Sequence, residues 1–458
     1  MFRTVKSLQR LERVQNKRNF SRNILKVLAD RDLIQDTFPN QKVSEFVRLL
    51  EKRSWGVYAG FDPTADSLHI GNLMVIMGLI HAQRSGHTPI ALIGGATGQI
   101  GDPSGKSKER PSLDLSILSS NILGIKYDLV NIFNNHKEYL WRPEAGELKE
   151  LEIVNNEDWY QNMNIIEFLG TIGRHFRVGT MLGKHSVKSR LNSDDGISLT
   201  EFTYQTFQAY DWMKLYKDSD SLIQIGGSDQ LGNISAGQEL ISRALDKQVL
   251  GITVPLMVSE SGNKFGKSSG TPVWLNSGKT SSFEVYQFML RRPDSELEKL
   301  LKYFTFLPLG EIENTLRKHE KNPESRYGQE KLAENLTLLL HGEAGLTSAV
   351  RATNVIYNND ISELAKLSLS DTRDLFKQAD YIQKLYTPGL SILDFALSIG
   401  CFKTERDALR IISAGGFYLN QSRSMNPDEI LVHGIHILDN NLSMVRVGKK
   451  NYYIVEWT

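Results

Sequence analysis

From Trp55 onward, short apolar runs alternate with helical patterns, which is typical of an α/β domain with a largely parallel sheet. A helix is predicted over residues 71–84, because its apolar positions recur with helical spacing. Ligands of open α/β sheets bind beyond the carboxyl ends of the strands, so glycine-marked turns at strand ends predict one site. The predicted strands are 57–61, 89–93 and 222–225. The turns that follow them begin at Asp62, cover 94–98 and cover 226–230, respectively.

The pattern changes along the rest of the chain. Residues 113–217 are more helical, and after about residue 272 the helices are rich in Leu and Lys, with no glycine-rich strand ends. A Pro388-Gly389 break precedes a compact final segment. There, residues 390–396 and 408–412 are predicted short helices, and 451–455 is a predicted strand.

The first residues form a basic, amphipathic stretch. Apolar residues recur at helical spacing, and one acidic residue, Glu12, stands against eight basic ones through Lys26. This pattern is typical of a mitochondrial transit peptide, which we place at residues 1–30. The alternatives are a solvated basic helix or an arm that contacts nucleic acid. The apolar positions are Phe2, Val5, Leu8, Leu11 and Val14, and the basic ones are Arg3, Lys6, Arg10, Arg13, Lys17, Arg18, Arg22 and Lys26.

The composition bounds the class of protein. The 458 residues are enough for two or three domains, and the formal net charge is only +1, so nucleic-acid contacts need local basic patches. The single cysteine, Cys401, rules out an internal disulfide and suits a reducing compartment. No apolar run approaches the roughly 20 residues of a membrane span, and no membrane partner is expected.

Two short motifs carry candidate nucleotide chemistry. His69-Ile70-Gly71-Asn72 opens a predicted helix, where N–H groups and the helix dipole favour phosphate. Lys264 and Lys267 lie in a Gly- and Ser-rich stretch and could clamp a leaving pyrophosphate. The alternatives are a histidine that only caps the helix and a solvated lysine loop. Residues 101–107 do not form a P-loop, because three residues separate the glycines where that motif needs four.

Together these segments resemble the HIGH and KMSKS signatures of class I aminoacyl-tRNA synthetases, with Asn72 for the second histidine and Phe265-Gly266 for Met-Ser. Residues 58–69 are similar to the start of the tyrosyl-tRNA synthetase active site almost residue for residue. Residues 94–106, 204–211 and 226–233 also match. Leu231 and the basic N-terminus are most like the animal mitochondrial branch. The similarity extends from about Trp55 to the C-terminus.

The resemblance implies a fold and a domain order. The fold would be α/β, with a Rossmann-like parallel-sheet catalytic domain over 31–271 that carries a helical, dimer-forming insertion at about 130–195. An α-helical anticodon-binding domain over 272–387 would follow. A small C-terminal α+β RNA-binding domain over 388–458, similar to a small-subunit ribosomal protein, would end the chain.

The resemblance also assigns the amino-acid site. Tyr58 and Asp211 would hydrogen-bond a tyrosine phenol, which a hydroxyl and a carboxylate suit. Asp102, Tyr204 and Gln208 would bind the ammonium. Spacings of four and three put Tyr204, Gln208 and Asp211 on one helical face, which an ordinary amphipathic helix would also show.

The remaining assignments concern ATP, which would enter with Mg²⁺. The tyrosine carboxylate would attack the α-phosphorus, giving tyrosyl-adenylate and pyrophosphate without a covalent enzyme intermediate. The resemblance places Asp62, Asn72, Gly227 and Asp229 near the ribose, Gly71 near the base, Gln230 near the reacting carboxylate, Thr64 and His69 at the γ-phosphate, and Lys106, Arg110, Lys264, Lys267 and Ser268 around the phosphates.

The implied function is ligation of tyrosine to tRNA(Tyr) by a homodimer in the mitochondrial matrix. In the C-terminal segment, Lys403, Arg406, Arg410, Arg423, Lys449 and Lys450 are candidate RNA phosphate contacts. Two alternatives stay open: a non-catalytic RNA-binding protein with a synthetase fold, and the related tryptophanyl enzyme. Pyrophosphate exchange with both amino acids separates them.

Overall fold

The computed structural model describes residues 23–106, 108–110, 113–257, 266–268, 271–357, 365, 372, 380–448 and 451–458. Residues 1–22 of the predicted transit peptide lie outside this part of the chain. The chain divides into two compact units. The first draws its described residues from Met1–Asp66, Gly71–Lys126 and Trp141–Asn263, and the second from Ser67–Ile70, Tyr127–Leu140 and Lys264–Thr458.

A six-stranded sheet forms the centre of the first unit. Its strands are β1 Asp36–Phe38, β2 Gly56–Phe61, β3 Thr88–Ile93, β4 Glu152–Asn155, β5 Ser221–Gly227 and β6 Leu250–Val254. Their order in the sheet is β1-β6-β5-β2-β3-β4, and every neighbouring pair is parallel except the edge strand β1 against β6. The predicted α/β fold is confirmed, and the three predicted strands correspond to β2, β3 and β5.

Helices cover this sheet and bury its apolar strands. The helices Leu199–Ser219 and Leu231–Leu245 approach closely because Gly237 has no side chain, and a Cβ there would overlap the ring of the fully buried Trp212. Ser198 caps the first of them by accepting from the Glu201 backbone N–H. The other helices that supply residues to this unit are Ile24–Asp30, Val43–Lys52, Ile70–Arg84, Thr97–Ile100, Leu115–Asn135, Glu157–Tyr160, Ile165–Glu167, Val178–Gly183 and His185–Leu191.

The second unit joins helices to a small mixed sheet. The helix Ser282–Leu290 starts with a capping box in which Ser281 and Glu284 bond each other's backbone N–H groups. The main helices are Ser282–Leu290, Asp294–Phe304, Leu309–Lys321 and Tyr327–Tyr357, the last kinked at Gly342.

The strands of this unit are β7 Lys267–Ser268, β8 Thr271–Pro272, β9 Asp380–Lys384, β10 Phe417–Leu419, β11 Ser422–Ser424, β12 Leu442–Val447 and β13 Asn451–Trp457. Five of them form a sheet in the C-terminal part, in the order β11-β10-β12-β13-β9, with only β13 and β9 parallel. The rings of Phe395 and Trp457 stack in its core, with their centroids 5.2 Å apart. The predicted helices and strand of this segment are confirmed as Ile392–Ser398, Glu405–Ser413 and β13. Within the described ranges, no helix has the length and apolarity to cross a membrane.

Candidate active site

Three strand ends of the first unit carry the glycine-marked turns. Asp62 directly follows β2, Gly94 follows β3, and Gly227 ends β5. Because β2 pairs in parallel with both β3 and β5, the carboxyl ends of the three strands lie at one edge of the sheet. This is the edge at which α/β proteins bind ligands.

The Asp62 carboxylate lies at the centre of this edge. It accepts hydrogen bonds from Thr97 Oγ1 at 2.7 Å and from the Tyr204 hydroxyl at 2.8 Å. Burial raises the pKa of Asp62 to about 6, although these two bonds and the charge of Arg110 oppose the rise. A Cβ at Gly94 would overlap this carboxylate, so the turn requires glycine there.

The Asp211 carboxylate is buried and held by three donors. Trp159 Nε1 and the Tyr160 hydroxyl each donate to Oδ1 at 2.9 Å, and Asn156 Nδ2 donates to Oδ2 at 3.0 Å. Asp211 is only 1% exposed. Burial raises its pKa to about 7, against the effect of the three hydrogen bonds.

Tyr58, on β2, is the counterpart of this carboxylate. Its side chain is 0% exposed, and its hydroxyl has no hydrogen-bond partner among the described residues. Burial and the nearby charge of Asp211 raise the pKa of Tyr58 well above its usual value, so the hydroxyl stays protonated. A buried donor that lacks an acceptor needs one from a ligand, and Asp211 Oδ2 retains capacity for a further donor. The pair therefore suits a ligand hydroxyl that both accepts and donates.

A third carboxylate, that of Asp102, lies in a polar cluster. Its Oδ2 accepts from Gln230 Nε2 at 2.6 Å, and its Oδ1 accepts from the Ser104 backbone N–H at 2.9 Å and from Asn233 Nδ2 at 3.3 Å. Asp102 is 8% exposed. These three hydrogen bonds fix the orientation of the Asp102 carboxylate, which can then accept a hydrogen bond from a cationic ligand group.

The helix Leu199–Ser219 carries the predicted trio Tyr204, Gln208 and Asp211. Tyr204 and Asp211 are buried, and Gln208 is half-buried. The Tyr204 hydroxyl donates to Asp62, so it links the residue predicted for the ammonium with the one predicted for the ribose.

The other predicted nucleotide residues of this unit lie nearer the surface. Arg110 acts electrostatically on Asp62 and is half-buried. Gly71 and Asn72 belong to the first turn of the helix Ile70–Arg84. Exposed members of the set are Thr64, Gly71, Lys106 and Asp229, and half-buried ones are Asn72, Gly227 and Gln230.

In the second unit, His69 is exposed and pairs through its backbone with Trp274 in an antiparallel bridge. The two rings lie 6.3 Å apart. Gly266 has φ +91°, and a Cβ there would overlap the side chain of Ile70. The substitution of Gly for Ser in the second signature therefore fits the local backbone.

The lysine motif is only partly described. Lys264 and Phe265 lie outside the described residues. Lys267 and Ser268 form β7, paired with β8, and only their backbone is described.

The C-terminal candidates for RNA contact differ in their surroundings. Arg423 donates to the carbonyl oxygens of Gly415 at 2.8 Å and Ala414 at 3.1 Å, so its guanidinium caps the preceding helix. Arg410 pairs with Asp407 at 3.1 Å on the surface. Lys403 and Arg406 are exposed. Lys449 and Lys450 are not among the described residues.

Large apolar side chains are exposed along the predicted insertion and its flanks. The residues in the first unit are Leu115, Ile117, Leu123, Ile165, Ile166, Leu169, Val178, Leu182, Leu191 and Leu199.

Sequence reasoning missed the residues that hold Asp211. Asn156, Trp159 and Tyr160 follow β4, a strand that was not predicted. The local sequence of β4 offers only Ile153 and Val154 before Asn155 and Asn156, inside the region 113–217 that is predicted to be mainly helical. Within the described part of the chain, no group of three or more His, Cys, Asp or Glu side chains could hold a metal ion.

The chain matches the family profile described as tRNA synthetases class I (W and Y) over residues 50–358. It is 51% identical over 456 residues to the mitochondrial tyrosine–tRNA ligase of Drosophila melanogaster, covering 99% of this chain and 98% of that protein. It is 41% identical to the mitochondrial tyrosine–tRNA ligase of Homo sapiens, covering 95% and 92%.

The comparison with solved structures finds the same family. A C-terminally truncated mitochondrial tyrosyl-tRNA synthetase from Aspergillus nidulans is 30% identical, with a TM-score of 0.64, covering 75% of this chain and 95% of that one.

Proposed function

The chain belongs to the class I tRNA synthetases specific for tryptophan and tyrosine, and from this premise we propose that it is a tyrosine–tRNA ligase of the mitochondrion. It activates L-tyrosine with ATP and then transfers the tyrosyl group to tRNA. The high identity to mitochondrial tyrosine–tRNA ligases over nearly the whole chain supports this assignment.

Tyr58 and Asp211 carry the choice of tyrosine. The buried Tyr58 hydroxyl donates to the substrate phenol, and the phenol donates to Asp211 Oδ2. This gives the buried Tyr58 hydroxyl an acceptor and uses the capacity left on the Asp211 carboxylate. Phenylalanine would leave the Tyr58 hydroxyl without an acceptor and the remaining capacity of Asp211 Oδ2 unused, so it is rejected.

Asp102, Tyr204 and Gln208 orient the substrate ammonium, with Asp102 supplying the neutralising charge. The bonds from Gln230 and Asn233 support this role because they fix the Asp102 carboxylate. Gln230 lies beside the reacting carboxylate. Asp62, Asn72, Gly227 and Asp229 serve the ribose and Gly71 the base, while Thr64, His69, Lys106, Arg110, Lys264, Lys267 and Ser268 serve the phosphates.

The first reaction step needs positioning and charge stabilisation rather than an enzyme nucleophile. A carboxylate oxygen of tyrosine attacks the α-phosphorus, and the bond from that phosphorus to the bridging oxygen of the β-phosphate breaks. Pyrophosphate leaves with the electron pair. Mg²⁺ would enter with ATP and would neutralise part of the charge on the phosphates.

In the second step, a ribose hydroxyl at the tRNA end attacks the tyrosyl carbonyl, and AMP leaves.

We place the reaction in the mitochondrial matrix, after removal of the basic N-terminal segment. We also propose a homodimer formed through the exposed apolar residues of the insertion, which supplies a partner for side chains such as Ile166, 75% exposed. The helical and C-terminal segments serve as the anticodon-binding and RNA-binding domains.

The proposal is tested by ATP–pyrophosphate exchange with the purified protein. Tyrosine should support exchange and tryptophan should not, because an indole has a donor but no acceptor for Tyr58. Aminoacylation of tRNA(Tyr) tests the second step. No exchange with tyrosine, or equal exchange with tryptophan, would overturn the assignment.

A further inference from the structure

Asp128 is a buried carboxylate in the second unit that the proposed chemistry does not use. It lies on the helix Leu115–Asn135 and is 3% exposed. Its Oδ2 accepts from Ser67 Oγ at 2.7 Å and from the Leu68 backbone N–H at 3.0 Å, and its Oδ1 accepts from Asn276 Nδ2 at 3.0 Å. We call these four residues the Asp128 clamp.

The clamp joins two segments that also pair through their backbones. Ile70 N–H donates to the Val273 carbonyl at 2.9 Å, and Leu275 N–H donates to the Leu68 carbonyl at 2.8 Å. His69 lies between these two bonds. Val273 N–H in turn donates to the Gly266 carbonyl at 2.7 Å, next to β7 of the lysine motif.

The segment around Leu275 is held from another side as well. Burial lowers the pKa of His341 to about 4, so the imidazole is neutral at physiological pH. The Leu275 carbonyl can only accept, so His341 Nε2 donates to it at 3.1 Å. The other ring nitrogen, Nδ1, then accepts from the Ser282 hydroxyl at 2.9 Å. Asn276 Oδ1 accepts from Gly278 N–H at 2.8 Å, which fixes the direction of the Asn276 amide.

We infer that Asp128 is a positioning residue for the use of ATP. Its hydrogen bonds hold the segment 67–70, which contains His69, in a fixed position against the segment 273–276, which follows the lysine motif. This inference rests on the proposed function. A buried carboxylate and its buried donors each lose free energy when their hydrogen bond is broken. Loss of one partner therefore weakens the contact between the two segments. Electrostatic stabilisation of a transition state depends on such preorganisation. The effect should appear in the use of ATP and not in the binding of tyrosine.

The test exchanges the two ends of the Asp128–Asn276 bond. In Asp128→Asn, one amide oxygen can still serve Ser67 and Leu68, but its NH₂ group faces the NH₂ group of Asn276. In Asp128→Asn combined with Asn276→Asp, a donor again faces an acceptor, and the new carboxylate still accepts from Gly278 N–H. The matched control is Asn135→Ala, on the same helix, which loses one bond to the Leu339 carbonyl.

The measurement is kcat/KM for ATP in tyrosine-dependent exchange, with tyrosine Kd measured separately by equilibrium dialysis. We expect Asp128→Asn to lower kcat/KM for ATP at least tenfold and to leave tyrosine Kd within twofold. The double variant should recover to within threefold of wild type, and Asn135→Ala should be unchanged. Wild-type kcat/KM in Asp128→Asn, an equal loss in Asn135→Ala, or no recovery in the double variant overturns the inference.

Hydrogen exchange separates this inference from the proposed function. Peptides that contain Leu68 and Leu275 should exchange faster in Asp128→Asn than in wild type, and at the wild-type rate in Asn135→Ala and in the double variant. Inactive wild-type protein would refute the proposed function alone. Unchanged exchange rates in Asp128→Asn would refute the clamp even if the wild type is active.

Discussion

Replacement of Tyr160 by Phe tests how the tyrosine site keeps Asp211 ionised. The change removes one hydroxyl that donates at 2.9 Å both to Asp211 Oδ1 and to the Phe207 carbonyl. The ring packs against Phe168, Phe207 and Tyr210, and Phe preserves those contacts. The perturbation is therefore almost purely electrostatic.

The magnitude follows from the shared hydrogen bond. A bond to a charged group contributes about 1.5 to 3 kcal/mol, and sharing with Phe207 puts this one at the lower end. Since one pKa unit corresponds to about 1.36 kcal/mol, the pKa of Asp211 should rise from about 7 to roughly 8. At pH 7 the ionised fraction then falls from about one half to about one eleventh, and tyrosine binding weakens about fivefold. At about pH 8.5 the difference shrinks to roughly 1.3-fold.

The assay is equilibrium dialysis of labelled tyrosine at several pH values. Tyr210→Phe is the matched control, because that residue belongs to the same aromatic cluster and its hydroxyl is not one of the three donors to Asp211. Its tyrosine Kd should match wild type throughout. A fivefold defect in Tyr160→Phe that is the same at both pH values would refute the ionisation argument, as would no defect at pH 7.

Gly94→Ala should lower kcat/KM for tyrosine and ATP at least tenfold in exchange assays, because its Cβ overlaps the carboxylate of Asp62; activity within twofold of wild type would contradict this. Glu201→Ala should destabilise the first unit by about 3 to 5 kcal/mol, because Arg190 is 1% exposed and bonds Glu201 at 2.8 Å; an unchanged thermal midpoint in calorimetry would argue against it. Burial raises the pKa values of Asp211 and Asp62 to about 7 and 6, so both carboxyls take up protons as the pH falls through that window. We expect kcat/KM for tyrosine to fall there, and a profile that stays flat down to pH 5 would be inconsistent with the assigned carboxylates.

Much of the fold could be predicted because its signals are local. The strands β2, β3 and β5 are mainly apolar, with Gln224 as the polar residue inside β5, and each is followed by a turn that contains glycine or Asp-Pro. The edge strand β1 and the short β4 were missed because three or four residues give no usable periodicity. Their pairing depends on neighbours that are far away in sequence.

The candidate site shows the same division. The spacing of Tyr204 and Asp211 revealed their shared helix, whereas nothing in the sequence shows that Tyr204 donates to Asp62. The donors to Asp211 were missed because Trp159 and Tyr160 lie about fifty residues away from it and follow an unpredicted strand. Whether a polar side chain contacts a ligand or another side chain depends on such tertiary contacts, which spacing alone does not report.

The central claim is that Tyr58 and Asp211 select tyrosine by pairing with its hydroxyl. The most direct measurement is the ratio of kcat/KM for tyrosine to that for phenylalanine in ATP–pyrophosphate exchange, for wild type and for Tyr58→Phe. Loss of one buried bond between two neutral hydroxyls, which contributes about 0.5 to 1.5 kcal/mol, should lower the ratio by roughly 2-fold to 12-fold, mainly through tyrosine. An unchanged ratio in an active, folded Tyr58→Phe variant would contradict the assignment of the pocket.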